Sequence, residues 1–284
     1  MKNSKKLFRY VGLPLSYIFL VLLAILFLLP NIFMLMQSFL PNEELFQLPV
    51  KFFPERFSLD GYRQLFEMDV LKYLGNTLVI VAFSITVGPL SSSIVAYGFA
   101  KMEFPGRDKL FAIMMGTIML PGIVLQIPQY VMFVSYGWKD TFYPFIIPGI
   151  FGGGAMNIFL VRQFMRGIPN ELLNAAKIDG ANSFIIYLKI VMPLSIPVIT
   201  LLMINAFLGS WNDFMGPLIY LKKSEMYTLS LGLYREFTSG NLTKGSFPNV
   251  RMAAGVLMSI PPAILFLIFQ KQMIEGVSIT GLKG

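Results

Sequence analysis

The sequence predicts an all-α, polytopic membrane protein with six transmembrane helices. Of its 284 residues, 55% are hydrophobic and only 13% charged, and the mean hydropathy is +0.67, outside the range of soluble domains. The apolar residues also gather into runs that can cross a hydrocarbon core of roughly 30 Å, which takes about 20 residues per helix. Barrel strands would instead be alternating segments of about 10 residues, a pattern absent from the sequence.

The first run, Leu13 to Met36, follows Lys2, Lys5, Lys6 and Arg9 and is too long for the apolar core of a signal peptide, so it reads as a retained span. Residues 37–73 carry Pro41, Pro49, Pro54 and ten charges, and form a polar connection. A second span covers about 77–100 and ends in the charged turn Lys101 to Lys109. The third runs over about 110–134, and the connector from Tyr136 to Asp140 places Trp138 where a headgroup boundary favours it. A fourth span covers about 141–161. After the interruption 168–193, a fifth covers about 194–221, a polar connection fills 222–251, and a sixth covers about 253–269 before a short tail.

Six spans put both termini on one side. That side holds 13 of the 23 Lys and Arg residues but 5 of the 15 acidic ones, so the positive-inside rule makes it the cytoplasm. The basic balance is therefore a topology signal, not a nucleic-acid one.

The chain has no His and no Cys, which excludes a His-based triad, a zinc site with nitrogen or sulfur ligands, thiol redox chemistry and disulfides. No catalytic residue, metal or cofactor is expected. Nine prolines punctuate the spans: Pro14, Pro30, Pro89, Pro121, Pro128, Pro144, Pro148, Pro197 and Pro217. Such breaks persist in lipid where neighbouring helices or water satisfy the released carbonyls, so together they favour a bundle enclosing a pathway. Gly149 and Gly153, flanked by Gly152 and Gly154, allow close helix approach. The candidate pathway residues are Gln126, Gln129, Asn157, Asn205, Asn212 and Asp213. A carboxylate at mid-span costs about 2.5–3.5 kcal/mol, so Asp213 should face protein or water, as a capping group or a substrate contact.

The stretch from Ile168 to Pro193 is built as a short helix, a turn and a second helix. Pro169 can start a helix without losing a needed donor, and Glu171 suits the positive end of its dipole. Leu172, Ala175, Ala176 and Ile178 supply a small apolar surface, Gly180 is placed for a left-handed cap, and Ser183 can cap the second helix. So short a helix is marginal alone and needs packing partners. From the residues alone, docking to a partner and a plain interhelical connection both remain open.

The series Glu171-Leu-Leu-Asn174-Ala175-Ala176-Lys-Ile-Asp179-Gly180-Ala181, with Ile190-Val-Met-Pro193 beyond it, resembles the EAA loop of ATP-binding cassette importer permeases. It departs from that loop in Asn174, where the family usually has Glu, and in Met192, where Leu is common. Asn76-Thr77, Ala96-Tyr97, Phe99-Ala100, Ile127-Pro128, Tyr130, Trp211-Asn212-Asp213-Phe214 and the ending Gly281-Leu282-Lys283-Gly284 extend the likeness over almost the whole chain. Together they resemble the maltose-type, six-span second permease subunit of carbohydrate importers.

The resemblance implies a type I importer permease fold with cytoplasmic termini, divided into 1–70 with a peripheral first span, a core domain 71–270 and a tail 271–284. It implies that Glu171, Asn174, Ala175, Ala176, Asp179, Gly180 and Ala181 belong to a coupling helix that enters a cleft on an ATPase subunit. The implied partners are a homologous permease, two ATP-binding cassette ATPases, an external solute-binding protein and a carbohydrate substrate, within the cytoplasmic membrane. The 222–251 connection, with Tyr234 and Gly240, would reach the binding protein. The chain has no phosphate-binding Walker loop, as suits a subunit that uses ATP energy without binding ATP. The rival reading is a secondary transporter or channel working without an ATPase; its expected ionisable relay or inverted repeat is not found in the sequence.

Overall fold

A computed structural model describes residues 13–45, 52–238 and 247–281, the last eight of these as backbone only. The basic N-terminal residues Lys2, Lys5, Lys6 and Arg9, Gly240, and Leu282 to Gly284 lie outside the described residues. Every regular element among the described residues is helical, and the chain forms two compact units, 1–68 with 235–261 and 69–234 with 262–284.

In the first unit, α1 (Leu13–Ser38) is apolar all round and exposed along nearly its whole length, as suits a helix solvated by lipid. Its polar end turns inward: Ser38 is buried, with its Oγ 2.9 Å from the Tyr62 hydroxyl on α2 (Asp60–Phe66). The fully buried Asn249 donates from Nδ2 to the Leu40 carbonyl and to Asn42 Oδ1, both at 2.9 Å. Gly61 packs against the Asn249 backbone so closely that a Cβ would sit 2.9 Å from its carbonyl oxygen.

The second unit begins with α3 (Val70–Lys101), which starts seven residues before the expected second span. The expected third span is two helices, α4 (Arg107–Thr117) and α5 (Gly122–Ser135), bent by 97°. The local cause is visible in the backbone. The N–H groups of Ile118, Met119 and Leu120 turn to the carbonyls three residues back, and Pro121 then offers no donor to continue the helix.

The expected fourth span is broken at residues 151–154 into α6 (Tyr143–Ile150) and α7 (Ala155–Arg166), so Arg162 and Arg166 lie inside a helix rather than beyond it. After α8 (Asn170–Ile178), α9 (Ser183–Leu194) contains a π turn at Tyr187–Val191 and meets α10 (Ile196–Trp211) at 74°. At that corner Ser195 donates its Oγ to the Val191 carbonyl at 2.7 Å, between two prolines that lack donors. The expected fifth span ends at Trp211, and α11 (Met215–Tyr220) is a separate short helix. The connection beyond it contains α12 (Leu229–Thr238), and the last helix, α13 (Pro248–Gly281), begins before Ala253.

The second unit's core gathers Tyr97 from α3, Val161 and Met165 from α7, Leu173 from α8, Ile186 from α9 and Leu202 from α10. At the other end, Asp140 adopts the left-handed region (φ 57°) and donates its N–H to the Tyr220 carbonyl at 3.0 Å. Its Oδ1 accepts the backbone N–H groups of Lys222 and Lys223, so one side chain ties the 136–140 connector to the chain after α11. The bond from the Lys222 N–H, chiefly, holds the Asp140 carboxyl below its ordinary range, with Lys139 and Lys223 adding to it. A carboxyl depressed in this way stabilises the fold above its unfolded value of about 3.9 and loses that contribution as pH falls through the lower folded value. Thermal melts of detergent-solubilised protein between about pH 5 and 3 should therefore show a loss that is smaller in Asp140→Asn. Identical pH slopes for both proteins would refute the assignment.

Candidate functional site

Helix α8 is held in place by its ends. Glu171 lies in its first turn and Lys177 in its last, complementing the helix dipole. Gly180 takes φ 81°, the Ala181 N–H donates to the Ala176 carbonyl at 2.9 Å, and the Gly180 N–H donates to the Lys177 carbonyl at 3.0 Å. This is a Schellman cap, and Ala181 and Ala176 both pack on the core beneath it. The second helix is capped by Asn182, whose Oδ1 accepts the Ile185 N–H at 2.9 Å, one residue before the expected Ser183. Asn182 has the extended backbone a cap requires, and Ser183 is already helical.

The helix carries two apolar stripes. Leu173, 5% exposed, and Ala176 face the core. Leu172 (47%), Ala175 and Ile178 (87%), spaced three apart, face outward with Glu171 and Asn174. Asp179 and Gly180 are exposed at its end. A helix this short is held by its packing through Leu173 and Ala176, and it leaves Leu172, Ala175 and Ile178 as an exposed apolar stripe.

The second feature is the break between α6 and α7. Gly152, Gly153 and Gly154 all have positive φ (95°, 62° and 102°) and leave backbone groups unpaired within an apolar span. Helix α3 supplies their partners. The Ser91 Oγ donates to the Ile150 carbonyl at 2.6 Å and accepts the Gly152 N–H at 2.8 Å, while Ser92 Oγ lies 2.8 Å from both the Gly152 and Gly88 carbonyls. Gly88 makes room for this seam, its Cα lying 3.8 Å from where a Cβ on Gly149 would stand.

An open cavity of about 480 Å³ lies along the seam, walled by Phe83, Ser84, Phe145, Phe151, Gly149, Gly153, Asn157 and Ala206. A second hollow of about 400 Å³ beside the same break runs from Thr117 and Ile118 to Asn157. Aromatic rings, a hydroxyl, an amide and bare glycine backbone can hold a polyhydroxylated molecule by stacking and hydrogen bonds, with no charged group in the wall.

Of the expected pathway residues, Asn157 alone lines the cavity, donating from Nδ2 to the Gly153 carbonyl at 2.7 Å. Gln126, Gln129, Asn205 and Asn212 are not in its wall, and Asn212 donates back to the Leu208 carbonyl. Asp213 accepts the Gly216 N–H at 3.0 Å in the first turn of α11, and its carbonyl accepts from Ser230 Oγ, a capping arrangement. Tyr234, on α12, packs edge-on against Phe214 at 5.0 Å between centroids. Sequence reasoning missed Ser84, Ser91, Ser92, Phe83, Phe145 and Phe151. The Gly88…Ser92 small-residue spacing was the available signal for the seam.

Long apolar helices beside an uncharged cavity, with a short capped helix exposing an apolar stripe on the same unit, have the architecture of a membrane permease subunit. The chain belongs to the family of binding-protein-dependent transport system inner membrane components, which it matches over residues 92–278. It is 32% identical to the arabinooligosaccharides transport system permease protein AraQ of Bacillus subtilis (strain 168), over 94% of each chain. It is 30% identical, over the full length of both, to the galactooligosaccharides transport system permease protein GanQ of the same organism. Its fold is that of a chain in the crystal structure of a bacterial ABC transporter importing the acidic polysaccharide alginate: TM-score 0.83 over 93% of this chain and 96% of that one, at 23% identity. The fold is accordingly that of a type I ABC importer permease.

Proposed function

We propose that this chain is one of two homologous permease subunits of an ATP-driven importer that carries an oligosaccharide across the cytoplasmic membrane. In this reading six spans leave both termini in the cytoplasm, and the chain itself catalyses nothing. Two ATPase subunits supply the energy, and an external binding protein delivers the sugar. Residues 71–270 act as the transport core and 271–284 as a cytoplasmic tail. The relatives named for arabino- and galactooligosaccharides cover nearly the whole chain and support the substrate class.

The observation that carries the coupling role is the outward stripe Leu172, Ala175 and Ile178 on a helix anchored by Leu173 and capped at Gly180. Glu171, Asn174 and Asp179 frame that stripe, and Ala181 closes the cap against the core behind it. The cavity along Gly149–Asn157 is the sugar's path through this subunit, and Asp213 shapes its surroundings by capping α11. The connection holding Tyr234 and Gly240 meets the binding protein. ATP acts through the different contacts that α8 makes with open and closed ATPase pairs.

The test reconstitutes the complete transporter in liposomes with its binding protein. Uptake of labelled arabino- or galactooligosaccharide should need internal ATP and proceed without a membrane potential. Uptake that persists without ATP and follows an imposed ion gradient would establish a secondary transporter instead.

A further inference from the structure

Helix α3 meets the docking helix along one line. Ser93, Tyr97 and Lys101 recur every four residues and so share one face of α3. Each is bonded to a residue flanking α8. Ser93 Oγ lies 2.6 Å from the Tyr187 hydroxyl, and the Tyr97 hydroxyl donates to the Ser183 carbonyl at 3.1 Å, both on the α9 side. Lys101 Nζ donates to the Ile168 carbonyl at 2.6 Å and to Asn170 Oδ1 at 2.8 Å, on the side where α8 begins. A reciprocal bond runs the other way: Arg162 on α7, only 9% exposed, donates its Nε to the Phe99 carbonyl at 3.2 Å. Its guanidinium lies 3.8 Å from the centre of the Phe111 ring. Two cations thus cross between elements, one satisfying the Phe99 carbonyl in the last turn of α3 and the other the Ile168 carbonyl in the turn between α7 and α8.

We infer that Ser93, Tyr97 and Lys101 are positioning residues that make α3 move with the docking helix, so that a displacement of α8 reaches the glycine seam and cavity. The same helix carries both connections. Lys101 sits at its end beside α8, and Ser91 and Ser92, further along it, hold the broken backbone at Gly152. Without the ladder, α8 would rest on α3 through apolar packing, which permits sliding; hydrogen bonds on both of its flanks fix the register. Lys101 is the strongest rung because its ammonium meets two acceptors at short distance.

This inference rests on the reading of α8 as the element that receives the ATPase stroke. The reconstituted transporter tests it through the number of ATP molecules hydrolysed per sugar imported. Lys101→Met, and Lys101→Met with Tyr97→Phe, should assemble and hydrolyse ATP while uptake falls about tenfold, raising that ratio. Lys101→Arg, which keeps a donor cation, should restore most of the coupling. A purely structural role would lower hydrolysis and uptake together, and that result overturns the inference, as does an unchanged ratio.

Because the natural chain lacks cysteine, a second measurement is available if the methionine variant fails to fold. Lys101→Cys with Asn170→Cys loses the Lys101 rung and should transport poorly as the free thiols, and bridging the two by a short bis-maleimide should raise uptake and restore the ratio, since the two ends then move together again. Arrest on crosslinking, or uptake that the bridge does not raise, overturns the inference. Ile178→Lys serves as the control for the underlying reading. If it too leaves uptake intact, the coupling role of α8 fails; if it blocks uptake while the Lys101→Met ratio is normal, the α3 ladder alone fails.

Discussion

A valine at Gly153 is expected to leave almost no folded protein in the membrane. A Cβ at this position would stand 2.4 Å from both the Gly88 carbonyl oxygen and Ser92 Oγ, and 2.9 Å from the Gly88 carbonyl carbon. Two of those atoms belong to the backbone of α3, so no rotamer change clears the space. The φ of 62° adds to the cost, since a β-branched residue is a genuine outlier there. Relief requires pulling α3 away from the break, which strands the Gly152 N–H and the Ile150 and Gly152 carbonyls that Ser91 and Ser92 satisfy. Each buried group left unpaired costs about 1–3 kcal/mol, so the total exceeds ~4 kcal/mol, a large part of a typical stability of about 5–15 kcal/mol. Gly154→Ala is the matched control, with φ 102° but open space around its Cβ, and should lose only the strain, about 1–3 kcal/mol. The check is the yield of monodisperse protein after detergent extraction and its melting temperature. A Gly153→Val protein that melts with wild type would remove the seam from the account.

The seam also shows what kind of information the chain carries openly. Apolar runs are legible because lipid imposes them on every span, and the ends of α8 are legible because Pro169 and Gly180 act through local backbone geometry. The breaks at 118–121 and 151–154 are harder to read, since each lies within a run whose hydropathy continues unbroken. The first follows from i−3 bonds and Pro121, and the second is stabilised by partners distant in sequence, Ser91 and Ser92 for Gly152. Composition can announce that glycines tolerate a break but not that α3 will repair it.

The cavity shows the same limit from the other direction. Choosing polar residues within spans selects Gln126, Gln129, Asn157, Asn205, Asn212 and Asp213, of which Asn157 lines the cavity, yet amides and carboxylates in a helical bundle also serve as caps and back-bonding groups. Asn212 and Asp213 do so here. The cavity wall is made largely of phenylalanine and glycine, which in a sequence look like packing residues. Lys101 was legible only as a charge that orients the chain, because its second role depends on where α8 begins in space.

The outward stripe of α8 supports the other large effect: Ile178→Lys is expected to abolish sugar uptake while leaving the permease folded. Ile178 is 87% exposed, so its replacement removes little internal packing and should change stability by no more than about 0.5 kcal/mol. A cation in the last helical turn also suits the dipole, joining Lys177 there. Docked in an apolar groove, however, the same position becomes a desolvated anchor, and losing such an anchor costs about 2 kcal/mol or more, roughly thirtyfold in affinity. Leu173→Ala should do the reverse. It opens a cavity under the helix, lowers the melting temperature by an amount corresponding to about 2–5 kcal/mol, and leaves the docking face chemically intact. Asn174→Glu separates fit from charge. It installs a carboxylate on the exposed stripe, and if apolar fit dominates, uptake should change by no more than about twofold, the scale of a rim ion pair. Co-purification of the ATPase subunits with each variant, alongside uptake, reads all three. Full ATPase retention and wild-type uptake in Ile178→Lys would show that the exposed stripe is not the docking face. A large gain in Asn174→Glu would show that docking depends on a charge that this chain replaces with an amide.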